Sequence, residues 1–256
     1  FVGEHFSVKG PLNLPRSPQG RPVLVQAGSS EGGKALGSRY ADAIFTTQTT
    51  LPDGQAFYQE MKQRARNWGR NPEHLKIMPG LSTVIASTEA EARARFDELN
   101  AYHGEAGLVQ QLAFRVGLSP DELDLDAPLP WARIGPVSEF ERGSHGFLEA
   151  QLNLARRENL TIRELSRRIL VGHRLLVGTP EQVADTLEHW FLAGAADGFN
   201  IMPDMFPSGV EVFVDQVVPL LQQRGVFRRE YTGSTLRDHL GLPYPASQYQ
   251  RAAEAV

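Results

Sequence analysis

Short apolar runs alternate with amphipathic stretches along most of this chain. Val23-Leu24-Val25-Gln26-Ala27 is a β-prone run stopped by Gly28, and Glu31 to Ala41 carries a helical pattern despite Gly32, Gly33 and Gly37. Ala43-Ile44-Phe45-Thr46-Thr47 predicts a second strand. A helix is predicted from Asp53 to Trp68, where Phe57, Met61 and Ala65 recur at helical spacing, and Gly69 to Pro72 end it. Ile77 to Ala86 predicts a third strand, with Pro79-Gly80 expected to bulge or sit unpaired. Thr88 with Glu91 spells a capping box opening a helix from Glu89 to about Tyr102.

Between Gly104 and Gly172 the alternation stops. Helical patterns at Phe147 to Arg156 and Thr161 to Leu170, and the proline-rich run Ala127-Pro128-Leu129-Pro130, fill a stretch too long for a simple connection. An insertion over 104–172 is therefore expected. The pattern resumes at Gly178-Thr179-Pro180-Glu181, with Thr179 as N-cap, Pro180 at the first helical position and Gln182 completing the box. That helix runs to Ala193, and a fourth strand is predicted at Phe199-Asn200-Ile201-Met202. Val210 to Arg224 predicts a last helix that buries Phe213, Val217, Leu220 and Leu221, and residues 226–256 form a polar tail. Four strand–helix units imply a parallel sheet with right-handed crossovers. The pattern alone fits either a doubly wound sheet or part of an eight-stranded barrel.

A chain of 256 residues, 41% hydrophobic, is long enough for one large domain with a real core. Its net charge of −4 gives no electrostatic case for nucleic acid or an anionic membrane surface. No run approaches the roughly 20 apolar residues that span a bilayer. With no cysteine, disulfides, thiolate metal sites and thiol nucleophiles are excluded, which suits a cytoplasmic protein. The sequon Asn159-Leu160-Thr161 reads as chance. The chain opens on Phe1 in an extended arm, Glu4 to Pro11, and is expected to come from a cut or incomplete reading frame.

The candidate chemistry centres on Gln26-Ala27-Gly28-Ser29-Ser30. Ligands bind where a parallel strand ends and a helix begins. Gly28 permits close backbone approach, and the hydroxyls of Ser29 and Ser30 with the free N–H groups of the next helix could surround a phosphate. Gly32 and Gly33 would clear space for a bulky ligand, whereas Glu31 argues against an anion unless it points away. The alternative is that Ser30 simply caps the helix. Thr46, Thr47 and the segment Met202-Pro203-Asp204 end strands on the same side, with Asp204 read as a loop carboxylate. His5, His74, His103, His145, His173, His189 and His239 show no metal-ligand spacing, and no complete catalytic constellation is present, so no metal and no catalytic residue is assigned.

Longer segments carry a resemblance. The run from Gly10 to Pro22 followed by Val25 to Ser30 resembles the middle of the nitrilotriacetate monooxygenase group of the bacterial luciferase-like superfamily. So do Val177 to Asp185, Ala195 to Asn200, Phe213 to Pro219, and the tail Glu230 to Arg237. The resemblance implies a TIM (β/α)8 barrel present only as its C-terminal half, with the four strands as the fifth to eighth. The chain would then be one partial barrel domain over 1–256 with the helical insertion inside it. It further implies an FMN-dependent monooxygenase. Reduced FMN would come from a separate NAD(P)H-dependent flavin reductase, and dioxygen would supply the atom inserted into a small organic substrate. Gly28, Ser29 and Ser30 would grip the FMN phosphate. The residues holding the flavin ring would lie outside this sequence, and relatives are commonly homo-oligomers. Two other readings stay open: a deazaflavin-dependent oxidoreductase of the same superfamily, and a non-catalytic remnant lacking the ring site.

Overall fold

The computed structural model of the chain describes residues 1–10, 13–136, 145–169 and 172–247. They form two compact units, Leu24–Arg229 and a smaller one that joins Phe1–Val23 to the chain from Glu230 onward. The larger unit holds a sheet of five strands: β1 (Val25–Ala27), β2 (Ala43–Thr46), β3 (Lys76–Ile85), β4 (Arg174–Gly178) and β5 (Asn200–Pro203). Every pairing in it is parallel.

Helices α1 (Glu31–Tyr40) and α2 (Leu51–Asn67) follow the first two strands. Four more, α3 (Glu89–His103), α4 (Glu105–Val116), α5 (His145–Glu158) and α6 (Ile162–Ile169), lie between β3 and β4. Helix α7 (Pro180–Leu192) connects β4 to β5. The capping boxes at Thr88 and Thr179 form as the sequence predicts, each threonine accepting from the N3 backbone while Glu91 or Gln182 reaches back. The last predicted helix is broken in character. Helix α8 (Ser208–Val212) widens into a π turn at Phe213–Val217 and continues as α9 (Val218–Gln223). Pro219 has no N–H to donate back to Asp215, and the widened turn precedes it.

Two expectations about the sheet are corrected. There are five strands among the described residues, not four, because Arg174-Leu175-Leu176-Val177-Gly178 forms β4 before the Thr179 cap. Pro79-Gly80 neither bulges nor sits unpaired, since Pro79 aligns with Thr46 and Gly80 with Asn200. Instead the pair marks a change of neighbour. Along one edge of β3, Lys76–Pro79 pair with β2, and Leu81–Ile85 pair with β4. The other edge takes Asp197 at Ile77 and then β5. Long β3 is therefore the spine of the sheet, and β2 and β4 share one of its sides in tandem.

Both faces of this spine are covered. Ile44 and Ile77 pack against Phe57, Met61 and Ala65 of α2, and farther along the same face Leu81 and Ile85 meet Val183, Leu187 and Leu221. On the opposite face Ser82 and Val84 share a cavity with Phe96 and Leu99 of α3. Double coverage explains why β3 is buried from Pro79 to Ile85 without alternation. The helices α4 to α6 have a separate apolar core, in which Leu112, Val116, Leu152, Ile162 and Leu165 are buried. A chain segment with its own core cannot continue the strand–helix pattern, which is why the alternation stops there.

A buried ionic node ties α2 to β3 and to the approach to β5. Lys62, only 3% exposed, places its Nζ 2.9 Å from an Asp197 carboxylate oxygen and donates to the carbonyls of Leu75 (2.8 Å) and Pro72 (3.1 Å). Asp197 in turn accepts from the Tyr58 hydroxyl at 3.1 Å and the Ile77 N–H at 2.8 Å. Burial, with the Asp197 charge beside it, pushes the Tyr58 hydroxyl well above its ordinary range.

In the smaller unit, α10 (Leu236–His239) is capped by Thr235. Buried Arg237 joins the unit's two segments, its backbone N–H donating to the Gln19 side chain at 3.2 Å and its Nε to the Pro243 carbonyl at 3.0 Å.

Candidate cofactor site

Strand β1 ends at Ala27, and Gly28 turns the chain at φ +129°, a conformation that L side chains rarely adopt. The turn is docked on β2 by the Gly28 N–H, which donates to the Phe45 carbonyl at 3.3 Å. The two serines that follow separate in role. Ser30 is the N-cap of α1, its Oγ accepting from the Gly33 N–H at 3.2 Å and its carbonyl from the Lys34 N–H at 2.8 Å. Ser29 faces β2 instead, its Oγ 3.0 Å from the Thr46 Oγ1, which also accepts from the Gln48 amide at 3.1 Å.

Ser29 lines a cavity of about 210 Å³ at the ends of β1 and β2. Its other walls are Ala27, Gly28, Phe45, Thr46, Thr47, Gly146 and Phe147 from the start of α5, and His173 from just before β4. The cavity lies where β2 ends and β4 takes its place beside β3. Gly146 permits the approach of α5, since a Cβ there would come within 3.3 Å of the Ser29 Cβ.

The electrostatic objection to an anion in this turn is answered by geometry. Glu31 is exposed and turns toward α2, pairing with Arg64 at 2.7 Å and Lys34 at 3.4 Å. The Arg64 guanidinium first, and then Lys34, hold its carboxyl below the ordinary carboxylate range. The glycines of α1 do not clear space for a ligand as expected. A Cβ on Gly33 or Gly37 would come within 3.0 Å of the Gln26 side chain, and Gly32 meets nothing within 4 Å. Gly33 and Gly37 thus let α1 lie directly on β1.

His173 is the wall residue that sequence reasoning undervalued. Its ring stacks on Phe45 at 5.0 Å and meets the edge of Phe147 at 5.5 Å. Its Nδ1 lies 3.4 Å from the Thr47 Oγ1, and a Cβ on Gly80 would overlap the imidazole. Burial pushes its pKa below the ordinary histidine value. The signal that could have found it was the run Arg174 to Gly178: read as a strand, that run places the preceding residue at the sheet.

Thr46 and Thr47 come together with Ser29, whereas Asp204 does not. Asp204 is nearly buried at the end of β5, paired with Arg95 of α3, and lines the second cavity, about 360 Å³, with Thr83, Phe96, Leu99, Leu175 and Met202. His5, His74, His189 and His239 line neither cavity. Among the described residues no three His, Asp or Glu side chains gather as a metal site, and no helix is long and apolar enough to cross a membrane.

A parallel sheet flanked by helices, with a Gly-Ser-Ser turn opening a helix beside a strand-end cavity, defines an α/β protein of the parallel class. The chain belongs to the luciferase-like monooxygenase family, whose model matches residues 1–197. It is 49% identical over 247 residues to nitrilotriacetate monooxygenase component A of Aminobacter aminovorans, covering 95% of this chain and 53% of that protein. Among solved structures, the EDTA monooxygenase of Chelativorans sp. BNC1 is 39% identical with a TM-score of 0.73, over 95% of this chain and 56% of the other. A riboflavin lyase solved with modified FMN and riboflavin is 30% identical with a TM-score of 0.72, over 95% of this chain and 53% of the other. The family resemblance read from the sequence is borne out. The chain spans about half the length of the curated relatives it matches.

Proposed function

We propose that this chain is part of an FMN-dependent monooxygenase and that its first cavity receives the FMN phosphate. The observation carrying this reading is the Gly28–Ser29 turn, which opens on a cavity walled by Ser29, Thr46 and Thr47 at the strand ends, while Ser30 is used to cap α1. Gly28 and Ser29, with the α1 N-terminus behind them, suit a phosphate monoester, because hydroxyls, helix dipole and absent side chain all favour an anion there. Ser30 contributes through its backbone and through the cap that aims the helix. The relative crystallised with modified FMN supports flavin as the ligand class.

In this reading the strands belong to the fifth to eighth positions of a luciferase-like barrel, with β4, which follows the insertion over 104–172, as an addition to them. The flavin ring is held by residues outside this chain. Reduced FMN arrives from an NAD(P)H-dependent reductase, a division of labour that suits the "component A" wording of the most identical relative cited above. The bound flavin supplies the oxygen chemistry with dioxygen, and the protein contributes position and a dry site. The substrate is a small organic molecule, the setting cytoplasmic, and the intact enzyme a homo-oligomer.

The test is FMN and riboflavin titration, by fluorescence quenching, of the protein at its full natural length. FMN should saturate, and riboflavin, lacking the phosphate, should bind more weakly. Absence of FMN binding would remove the proposal.

A further inference from the structure

We infer that His173 is a direct ligand of the phosphate group in the first cavity and takes up a proton as a phosphate dianion enters. The inference rests on the FMN reading and adds a residue and a pH dependence to it. The imidazole is held as a wall of the cavity, clamped between Phe45 and Phe147 and seated over Gly80, where any side chain would displace it. Its Nδ1 is turned to Thr47, while its Nε2 has no hydrogen-bond partner among the described residues. His173 lines the cavity together with Ser29, Thr46 and Thr47, and an imidazole whose Nδ1 accepts from Thr47 carries its proton on Nε2, where it can donate to an acceptor bound there.

The charges around the ring make phosphate a suitable acceptor. Among the described residues the groups packed on it are Phe45 of β2, Thr47 just beyond that strand, the Gly80 backbone of β3 and Phe147 of α5, none of them charged. From α4, Arg115 lies over the Phe147 ring at 5.6 Å. Arg174, next in the chain, donates to the Thr49 carbonyl at 2.8 Å and lies over the Trp190 ring at 5.0 Å. Among the described residues no carboxylate contributes to the environment of His173, and burial lowers its pKa. Burial thus disfavours the charged ring, and an arriving dianion is the counter-charge that would stabilise the imidazolium.

The sign follows from linkage. If the ligand raises the pKa of His173, the extra affinity is fully present below the free-site pKa and is lost as pH rises through the bound-site pKa. A single coupled proton changes affinity by at most about tenfold per pH unit within that window. FMN phosphate titrates in the same range and weakens binding toward low pH, so the comparison must be between variants rather than along one curve.

FMN affinity is measured from pH 5.5 to 8.5 for the full-length protein and its His173→Gln variant. The ratio of wild-type to variant affinity should fall several-fold as pH rises across the window. A ratio independent of pH, with both proteins binding FMN, overturns the inference and leaves the FMN reading intact. Loss of FMN binding by the wild type overturns both. Should His173→Gln fail to fold, the His173 Cε1–H resonance of the wild type is titrated by NMR. Its pKa should rise with FMN or inorganic phosphate and stay put with riboflavin. An unchanged pKa in saturating FMN overturns the inference.

Discussion

Ser29 and Ser30 are chemically alike and adjacent, yet the turn gives them different partners. Ser30 Oγ is spent on the Gly33 N–H, and Ser29 Oγ meets Thr46 at the cavity wall. Ser30→Ala should therefore cost about 1 kcal/mol of stability through the lost cap, read as a shifted urea midpoint, with FMN affinity changed little. Ser29→Ala should do the reverse and weaken FMN severalfold at nearly unchanged stability. Equal effects of the two substitutions on FMN would return the phosphate grip to the helix end as a whole. Gly80→Ala is a third residue-level case. Its Cβ would push the imidazole of His173 out of place, so FMN binding should weaken even though Gly80 does not itself line the cavity. The Gly-Ser-Ser string was legible as a strand-to-helix turn with a capping serine because those signals are local. Which serine faces the cavity was not, because it depends on Thr46, on the neighbouring strand.

Elements were legible where their signals are self-contained. Thr88 with Glu91 and Thr179 with Gln182 each satisfy a helix end within a few residues, so the boxes form wherever the helix is placed. Thr179→Ala should lower stability by about 1 kcal/mol, checked by chemical denaturation. Strand β4 escaped notice because it is only five residues long and opens on a charged Arg174, and its partner Leu81–Ile85 lies some ninety positions earlier. The link between the helix ending at Ala193 and the strand predicted from Phe199 carried no predicted element, yet Asp197 within it is the acid that neutralises buried Lys62 and fixes the start of β3. Asp197→Ala should cost about 3–5 kcal/mol, because it strands a charge in the interior, and Lys62→Met together with Asp197→Ala should recover part of that loss. Urea unfolding of the single and double variants gives the measurement.

At the scale of the whole molecule, β3 carries neighbours on both edges and both faces, while β1 has a pairing partner only in β2 among the described residues. Val25 on that outer strand is 65% exposed. A strand with an unpaired edge and an exposed apolar side chain is a template for association. The 256-residue chain in isolation should therefore form concentration-dependent oligomers by sedimentation velocity, and Val25→Lys should reduce them. A monomer at every concentration would mean that the edge is protected. Parallel order was implied by the alternation of strand and helix, since parallel neighbours need a crossover. The tandem arrangement of β2 and β4 along one side of β3 was not, nor the position of α3 on the face opposite α2.

By itself the sequence determined what a few neighbouring residues can settle: strand and helix periods, caps, the Gly28 turn, and, through longer motifs, the family. The tertiary structure alone decided how distant pieces meet. It placed His173 beside Thr47 and Gly80, turned Glu31 away toward Arg64, and divided the two serines between helix cap and cavity wall. The physical reason is range. Backbone propensity and capping act within a turn or two, whereas the cavity exists only because β2 ends where β4 begins, and that junction joins residues more than a hundred positions apart.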